Sequence, residues 1–255
     1  MIQRYLGLAL ASLLLFLIGA LGPATHSRAA TVNHEIWADL LSNYITTAGV
    51  DYAGLKKEEG RLDLYLEVLE NTDPEMLPRN EQYAYYINAY NAWTIKLILS
   101  GYPGVNSIKD FGTILQSPWK KKWVRVNGNI ITLDHLEHNI LRPRYKDPRV
   151  HFAINCSAAS CPPLRPEPYL ARTLDQQLDD ATRSFVNDAD SYRLEGNTLY
   201  ISRIFKWFSE DFNEDALGFY LQYAEDDFKE KLNRIRDRIK IKYLRYDWSL
   251  NDVKS

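Results

Sequence analysis

The sequence predicts an α+β fold: a mostly helical single domain with two β-hairpins and a small antiparallel sheet. Three observations predict it. Apolar residues recur at helical spacing in several segments, two Asn/Gly turns each separate short alternating runs, and no regular strand–helix–strand alternation appears.

Taking the elements in order, Arg4 precedes a charge-free run from Tyr5 to Leu21, followed by Gly22-Pro23 and Ser27-Arg28-Ala29-Ala30. This is the shape of a secretory signal peptide covering residues 1–29, with cleavage after Ala29 or Ala24. An uncleaved anchor is the alternative, because about 17 to 25 apolar residues span a bilayer. The expected location is therefore periplasmic or secreted, with membrane contact only through that segment. Residues 30–255 form the expected single domain. Loss of Arg4 and Arg28 leaves 29 basic and 33 acidic residues, a net charge of −4. A mildly acidic chain is a poor nucleic-acid binder, and no other partner is legible.

His34–Ile45 has helical spacing, Val50–Tyr52 reads as extended, and Leu62–Leu69 resumes helical spacing. Asn80 is placed to cap a long helix from Glu81 to Ser100, stopped by Gly101 and Pro103. Trp123–Val126 and Ile130–Thr132 flank Asn127-Gly128-Asn129 as a hairpin. Thr132 then caps a short helix through Leu133, Leu136, Ile140 and Leu141, closed by Pro143. Arg149–Asn155 reads as a buried strand and Thr173–Val186 as an amphipathic helix. Tyr192–Ile204 reads as a second hairpin around Gly196-Asn197. Helices follow between Asn213 and Arg236, then an extended piece over Ile239–Trp248.

The only two cysteines are Cys156 and Cys161, in His151-Phe-Ala-Ile-Asn-Cys-Ser-Ala-Ala-Ser-Cys-Pro-Pro. A nucleophile loop, half of a metal site and a small disulfide are all open at this point. Four segments together resemble the motif set of the family catalogued as domain of unknown function 547. They are Tyr86-Ile-Asn-Ala-Tyr-Asn-Ala92, Ile131-Thr-Leu-Asp134 with Glu137-His138, the cysteine segment with Pro162-Pro163, and Tyr246-Asp-Trp-Ser-Leu-Asn251. The resemblance covers roughly Gln82 to Asn251 and brings no settled activity with it. Ser157 departs from the family pattern, which has glycine there and so a left-handed turn after Cys156.

A cysteine nucleophile needs a base beside its thiolate and a group that orients the base. His138 is the base candidate, with Asp134 one helical turn earlier on the same face. Glu137 lies about 100° round that helix, facing a pocket rather than His138. His135 ranks below His138. If 149–155 is a regular strand, His151 and Cys156 point to opposite faces. Asn88 and Asn91, three apart on the long helix, brace the cysteine loop. Alternatively, their helix takes the place of the nucleophile helix of a papain- or transglutaminase-like fold, an analogy of fold alone. His151, Asn155 and Cys161 join them as substrate-binding or bracing residues.

Zinc held by Cys156, Cys161, His138 and His151, with Glu137 as ligand or base, fits in composition but not in spacing, so no metal or cofactor is predicted. A Cys156–Cys161 disulfide fits an oxidising compartment and would shape the Ser157–Ser160 turn. No phosphate loop, dinucleotide fingerprint, His-Glu-x-x-His or Gly-x-Ser-x-Gly is present. Glu210-Asp211 and Glu225-Asp226 read as solvated helix faces.

The leading functional expectation is a cysteine-dependent hydrolase or acyl transferase acting on an amide or thioester. Cys156 is the nucleophile, His138 the base, and N–H groups of the Ser157–Ser160 turn hold the oxyanion. The competing expectation is a non-enzymatic exported binding module with the cysteines paired.

Overall fold

The structure is a computed structural model that describes residues 30–253. The segment expected as a signal peptide, residues 1–29, lies outside the described residues. About 53% of the described residues are helical, with small antiparallel and mixed sheets, an α+β architecture.

Helix α1 (Glu35–Tyr44) leads through a small hairpin, β1 (Ile45–Thr46) and β2 (Gly49–Val50), into α2 (Tyr52–Lys57) and α3 (Glu59–Glu70). The hairpin was not foreseen, and Tyr52 begins a helix rather than ending an extended piece. Asp51 causes this by accepting the Gly54 N–H as an N-cap. Around these packs α4 (Arg79–Leu99), in which every residue from Glu81 to Ile95 is buried. A helix buried on all sides is the axis of a core rather than an amphipathic cover. It starts after Pro78, so Asn80 sits in its first turn and caps nothing.

Strands β3 (Val124–Val126) and β4 (Asn129–Ile131) pair around Asn127 and Gly128, both with positive φ, as a two-residue hairpin turn requires. Thr132 then accepts the His135 N–H and starts α5 (Leu133–His135). Pro143 does not end this segment. A π-helical turn, Leu136–Leu141, follows, in which the Arg142 N–H bonds the Glu137 carbonyl five residues back. The wider turn accommodates a proline that has no N–H for the ordinary ladder, and the chain runs on as α6 (Arg142–Tyr145) until Lys146 turns left-handed.

The segment expected as a buried strand contains a single helical turn, α7 (Val150–Ala153). Helix α8 (Leu174–Asn187) follows, then hairpin β5 (Tyr192–Glu195) and β6 (Thr198–Ile201). After α9 (Ile204–Trp207) and a 3-10 turn at Ser209–Phe212 come α10 (Ala216–Tyr223) and α11 (Asp226–Arg234). Strand β7 (Lys240–Tyr243) adds in parallel to β6, making that sheet mixed rather than purely antiparallel. These three separate small sheets give no support for a papain- or transglutaminase-like core.

Buried apolar side chains gather into two clusters. One surrounds α4, and the other centres on Phe152, Phe205, Phe212 and Phe219 beneath α8 and the three-stranded sheet. The chain from Phe152 to Ala158 passes between them, with Ile154 in the first cluster and Ala158 in the second. Among the described residues no helix is long and apolar enough to cross a membrane.

Candidate functional site

One asparagine of α4, Asn91, braces the cysteine loop as expected, while the other, Asn88, holds the chain further on, at Tyr169. Three residues apart, they share a helix face, and each amide offers one donor end and one acceptor end. Asn91 donates to the Ala153 carbonyl at 2.9 Å and accepts the Asn155 N–H at 2.8 Å, gripping the chain on both sides of Ile154. Asn88 does the same at Tyr169, at 2.8 and 3.0 Å. Asn155 closes the loop from inside: its side chain donates to the Pro162 carbonyl and accepts the Ser157 N–H.

Ser157 is buried and adopts φ +62°, so the left-handed turn forms despite the missing glycine. Its carbonyl accepts the Asn251 N–H, Ala159 donates to the Ser249 carbonyl, and Ser160 donates to that of Asp247. The C-terminal segment thus clamps the loop from outside. This also removes the expected oxyanion donors. The N–H groups of Ser157, Ala159 and Ser160 are spent on those partners, and that of Ala158 is directed at the Cys156 sulfur.

The clamps bring the sulfurs of Cys156 and Cys161 to 3.0 Å, both as free thiols. Cys161 Sγ also receives the Cys156 N–H at 2.9 Å, and Tyr246 Oη lies 3.3 Å from Cys156 Sγ. The two thiols titrate together. The hydrogen bond from Cys161 lowers the Cys156 pKa below the usual thiol value; burial opposes the shift, and Tyr246 and the Ala158 N–H reinforce it. Burial and the neighbouring thiolate push Cys161 far up. One sulfur is thereby disposed to hold a charge while the other keeps its proton.

Cys156 and Cys161 open into a cavity of about 230 Å³ whose walls include Asp134, Glu137, His138 and His151. A larger cleft of about 560 Å³ on the other side of Cys161 and Tyr246 contains none of those four residues, nor Cys156. The chemistry lies in the smaller one. Because α7 is a helical turn and not a strand, His151 and Cys156 line the same cavity, against the expectation of opposite faces.

Glu137, on the π-helical turn, is only 7% exposed. Burial pushes its pKa up to about 7, against the Tyr90 hydroxyl, which donates to its Oε2 at 3.3 Å, and the charge of Arg142. His138, one residue on, is not held by Asp134, which acts on it only through its charge. Its Nδ1 lies 2.7 Å from Arg142 Nη1. A guanidinium only donates, so Nδ1 accepts and the ring proton sits on Nε2. Burial and the Arg142 charge lower the His138 pKa and keep the ring neutral.

Sequence reasoning missed Asp211. It is no solvated residue: it accepts Arg142 through Nε at 2.6 Å and Nη2 at 3.1 Å, and His151 Nε2 lies 2.6 Å from its Oδ2. Burial works against its charge, but His151 and Arg142 outweigh burial and hold its pKa well below the carboxylate range. His151, whose own pKa burial lowers, stacks on Phe208 with ring centres 4.0 Å apart. One ring nitrogen of each histidine is thus in use, and no group of three metal-ligating side chains is arranged for an ion among the described residues. The one sequence signal for Asp211 was a carboxylate beside aromatic Phe208 and Phe212, too common to single it out.

Comparison with known proteins gives no match among curated proteins and none among solved structures. Residues 74–186, which carry α4, the π-helical turn, both cysteines and nearly all of α8, match the family model described as Protein of unknown function, DUF547.

Proposed function

We propose that the protein is an exported thiol-dependent hydrolase or acyl transferase acting on an amide or thioester, with Cys156 as nucleophile. The reading is carried by one observation: the Cys156 sulfur is placed among three hydrogen-bonding groups in a cavity it shares with Glu137, a carboxyl whose pKa is about 7. A carboxyl tuned to that value works as both acid and base near neutrality.

In this mechanism the Cys156 thiolate attacks the substrate carbonyl carbon and a C–S bond forms. The oxyanion accepts a hydrogen bond from Nε2–H of His138, whose other nitrogen is capped by Arg142. His138 is thus a donor here, and the base role passes to Glu137. Protonated Glu137 gives its proton to the departing nitrogen or sulfur. Ionised Glu137 then takes a proton from water, which attacks the acyl-thioester, releasing the acid and restoring the Cys156 thiolate. Asp211 and Arg142 position His138, and Asp211 holds His151.

The test is the alkylation rate of Cys156 against pH, mapped by mass spectrometry, in the native protein, Cys161→Ala and Tyr246→Phe. The reading requires reaction below the ordinary thiol pKa, a rise in that pKa in both variants, and turnover of acyl-thioesters that Cys156→Ser abolishes. A second reading, a binding module braced by a Cys156–Cys161 disulfide, is favoured by the 3.0 Å sulfur contact. It predicts protein isolated without reductant whose cysteines do not react until reduced.

A further inference from the structure

The mouth of the cavity is aromatic. Trp119, Trp207, Tyr246 and Trp248 all line it, and Trp248 touches the other three, with ring centres 5.6, 5.6 and 4.5 Å away. Trp207 is 43% exposed, so its ring stands at the entrance instead of filling the core. Behind these rings lie the carboxyls of Asp134 and Glu137 and the thiol pair.

Most cationic groups nearby are engaged or uncharged, and Lys120 is near enough for its charge to act on His138. Arg142 is committed to Asp211 through two hydrogen bonds, and the rings of His138 and His151 are held neutral. Lys109 places its ammonium nitrogen 3.9 Å from the Trp248 ring centre, so the protein's own cation already uses one ring of this wall. Aromatic faces over carboxylates disfavour an anion and attract a cation, through the ring quadrupoles and through charge pairing. The volume, about 230 Å³, is below that of ordinary drug-sized pockets and suits a small head group.

We infer that this cavity recognises a small organic cation, an alkylammonium or quaternary ammonium group, seated on Trp207 and Trp248 and facing Asp134. The inference deepens the acyl-transfer reading, on whose cavity it rests: the acyl substrate or the acceptor carries an amine-derived positive charge. The ring faces supply shape and quadrupole, and Asp134, which no hydrogen bond or ion pair ties down among the described residues, supplies the charge.

The experiment uses choline as probe, alongside its neutral carbon isostere, in which a tert-butyl group replaces the trimethylammonium. Binding is read by tryptophan fluorescence and by calorimetry on the native chain and on Cys156→Ser. Choline should bind saturably and the isostere at least about tenfold more weakly. Trp207→Ala, at the partly exposed mouth of the cavity, and Asp134→Asn should each weaken choline without changing the melting temperature by much. Equal binding of choline and its isostere overturns the inference, as does failure of choline to bind. Choline selectivity retained in Cys156→Ser without any acyl turnover in the native protein sinks the hydrolase and leaves the cation seat standing. Turnover without choline selectivity does the reverse.

Discussion

Replacing Glu137 with glutamine tests the electrostatics of the cavity through stability alone. The carboxyl is 7% exposed and its pKa rises from the ordinary 4.5 to about 7. Between those two values the folded chain binds a proton that the unfolded chain has already released. Stability contributed by protonated Glu137 is therefore fully present below about pH 4.5 and lost as pH rises through 7. A displacement of that size corresponds to about 3 kcal/mol. Glutamine keeps the shape and can accept the Tyr90 hydroxyl, but it does not ionise. Other titrating groups are common to both proteins and cancel in the difference. Urea unfolding of native protein and Glu137→Gln at intervals from about pH 4 to about pH 8 should give a variant whose relative stability grows by about 3 kcal/mol, most of it below pH 7. A difference that stays constant across that range would refute the argument, because it would mean that Glu137 is solvated in the folded state or shares its proton with the thiol pair.

Three further outcomes follow from the same geometry. Ser157→Gly should stabilise the fold by about 1 kcal/mol, since a side chain at φ +62° costs roughly that much; chemical denaturation measures it, and destabilisation would show that the contact of the Ser157 hydroxyl with Tyr52 matters more than the turn. Asp211→Asn should cost about 2 kcal/mol in the same assay, less than a fully buried pair because the Asp211 side chain is 24% exposed, and should free His138 to titrate differently by nuclear magnetic resonance. Asn91→Ala should cost about 2 kcal/mol by leaving the Ala153 carbonyl and the Asn155 N–H unpaired, and should make Cys156 and Cys161 alkylate at more nearly equal rates as the loop loosens.

How far the sequence reached depended on whether the deciding contact was local. The long helix and both foreseen hairpins rest on spacing and turn residues within a few positions, and all three are present. Thr132 caps its helix because the N–H it satisfies is three residues away. The failures involve partners far along the chain or segments too short for a period. Val150–Ala153 is one helical turn, Val-His-Phe-Ala, and four residues cannot distinguish a period of 3.6 from a period of 2. Asp211 read as solvated because its partners, Arg142 and His151, are 69 and 60 positions away. Ser157 takes a conformation its own chemistry resists, because Asn155 and the Asn251 backbone hold it from both sides.

The π-helical turn shows why that distinction bears on the chemistry. Asp134, Glu137 and His138 stand at i, i+3 and i+4, the spacing that gathers side chains on one helix face, and the wider turn begins among them. With the extra residue of the Leu136–Leu141 turn accommodated ahead of Pro143, Glu137 and His138 both line one cavity while Arg142 reaches back to His138 Nδ1 and out to Asp211. A helix pattern containing a proline had suggested an ending. In the folded chain the same proline accompanies the widened turn that sets a carboxyl and an imidazole side by side, and turns of this kind recur at functional sites. Moving Pro143 to alanine removes the reason for the wider turn. If a regular helix then forms, Glu137 loses its place in the cavity and its raised pKa with it, and the pH-dependent stability difference between this variant and its Glu137→Gln derivative should shrink below the 3 kcal/mol argued above. An undiminished difference would show that packing against Tyr90, and not the proline, sets the turn.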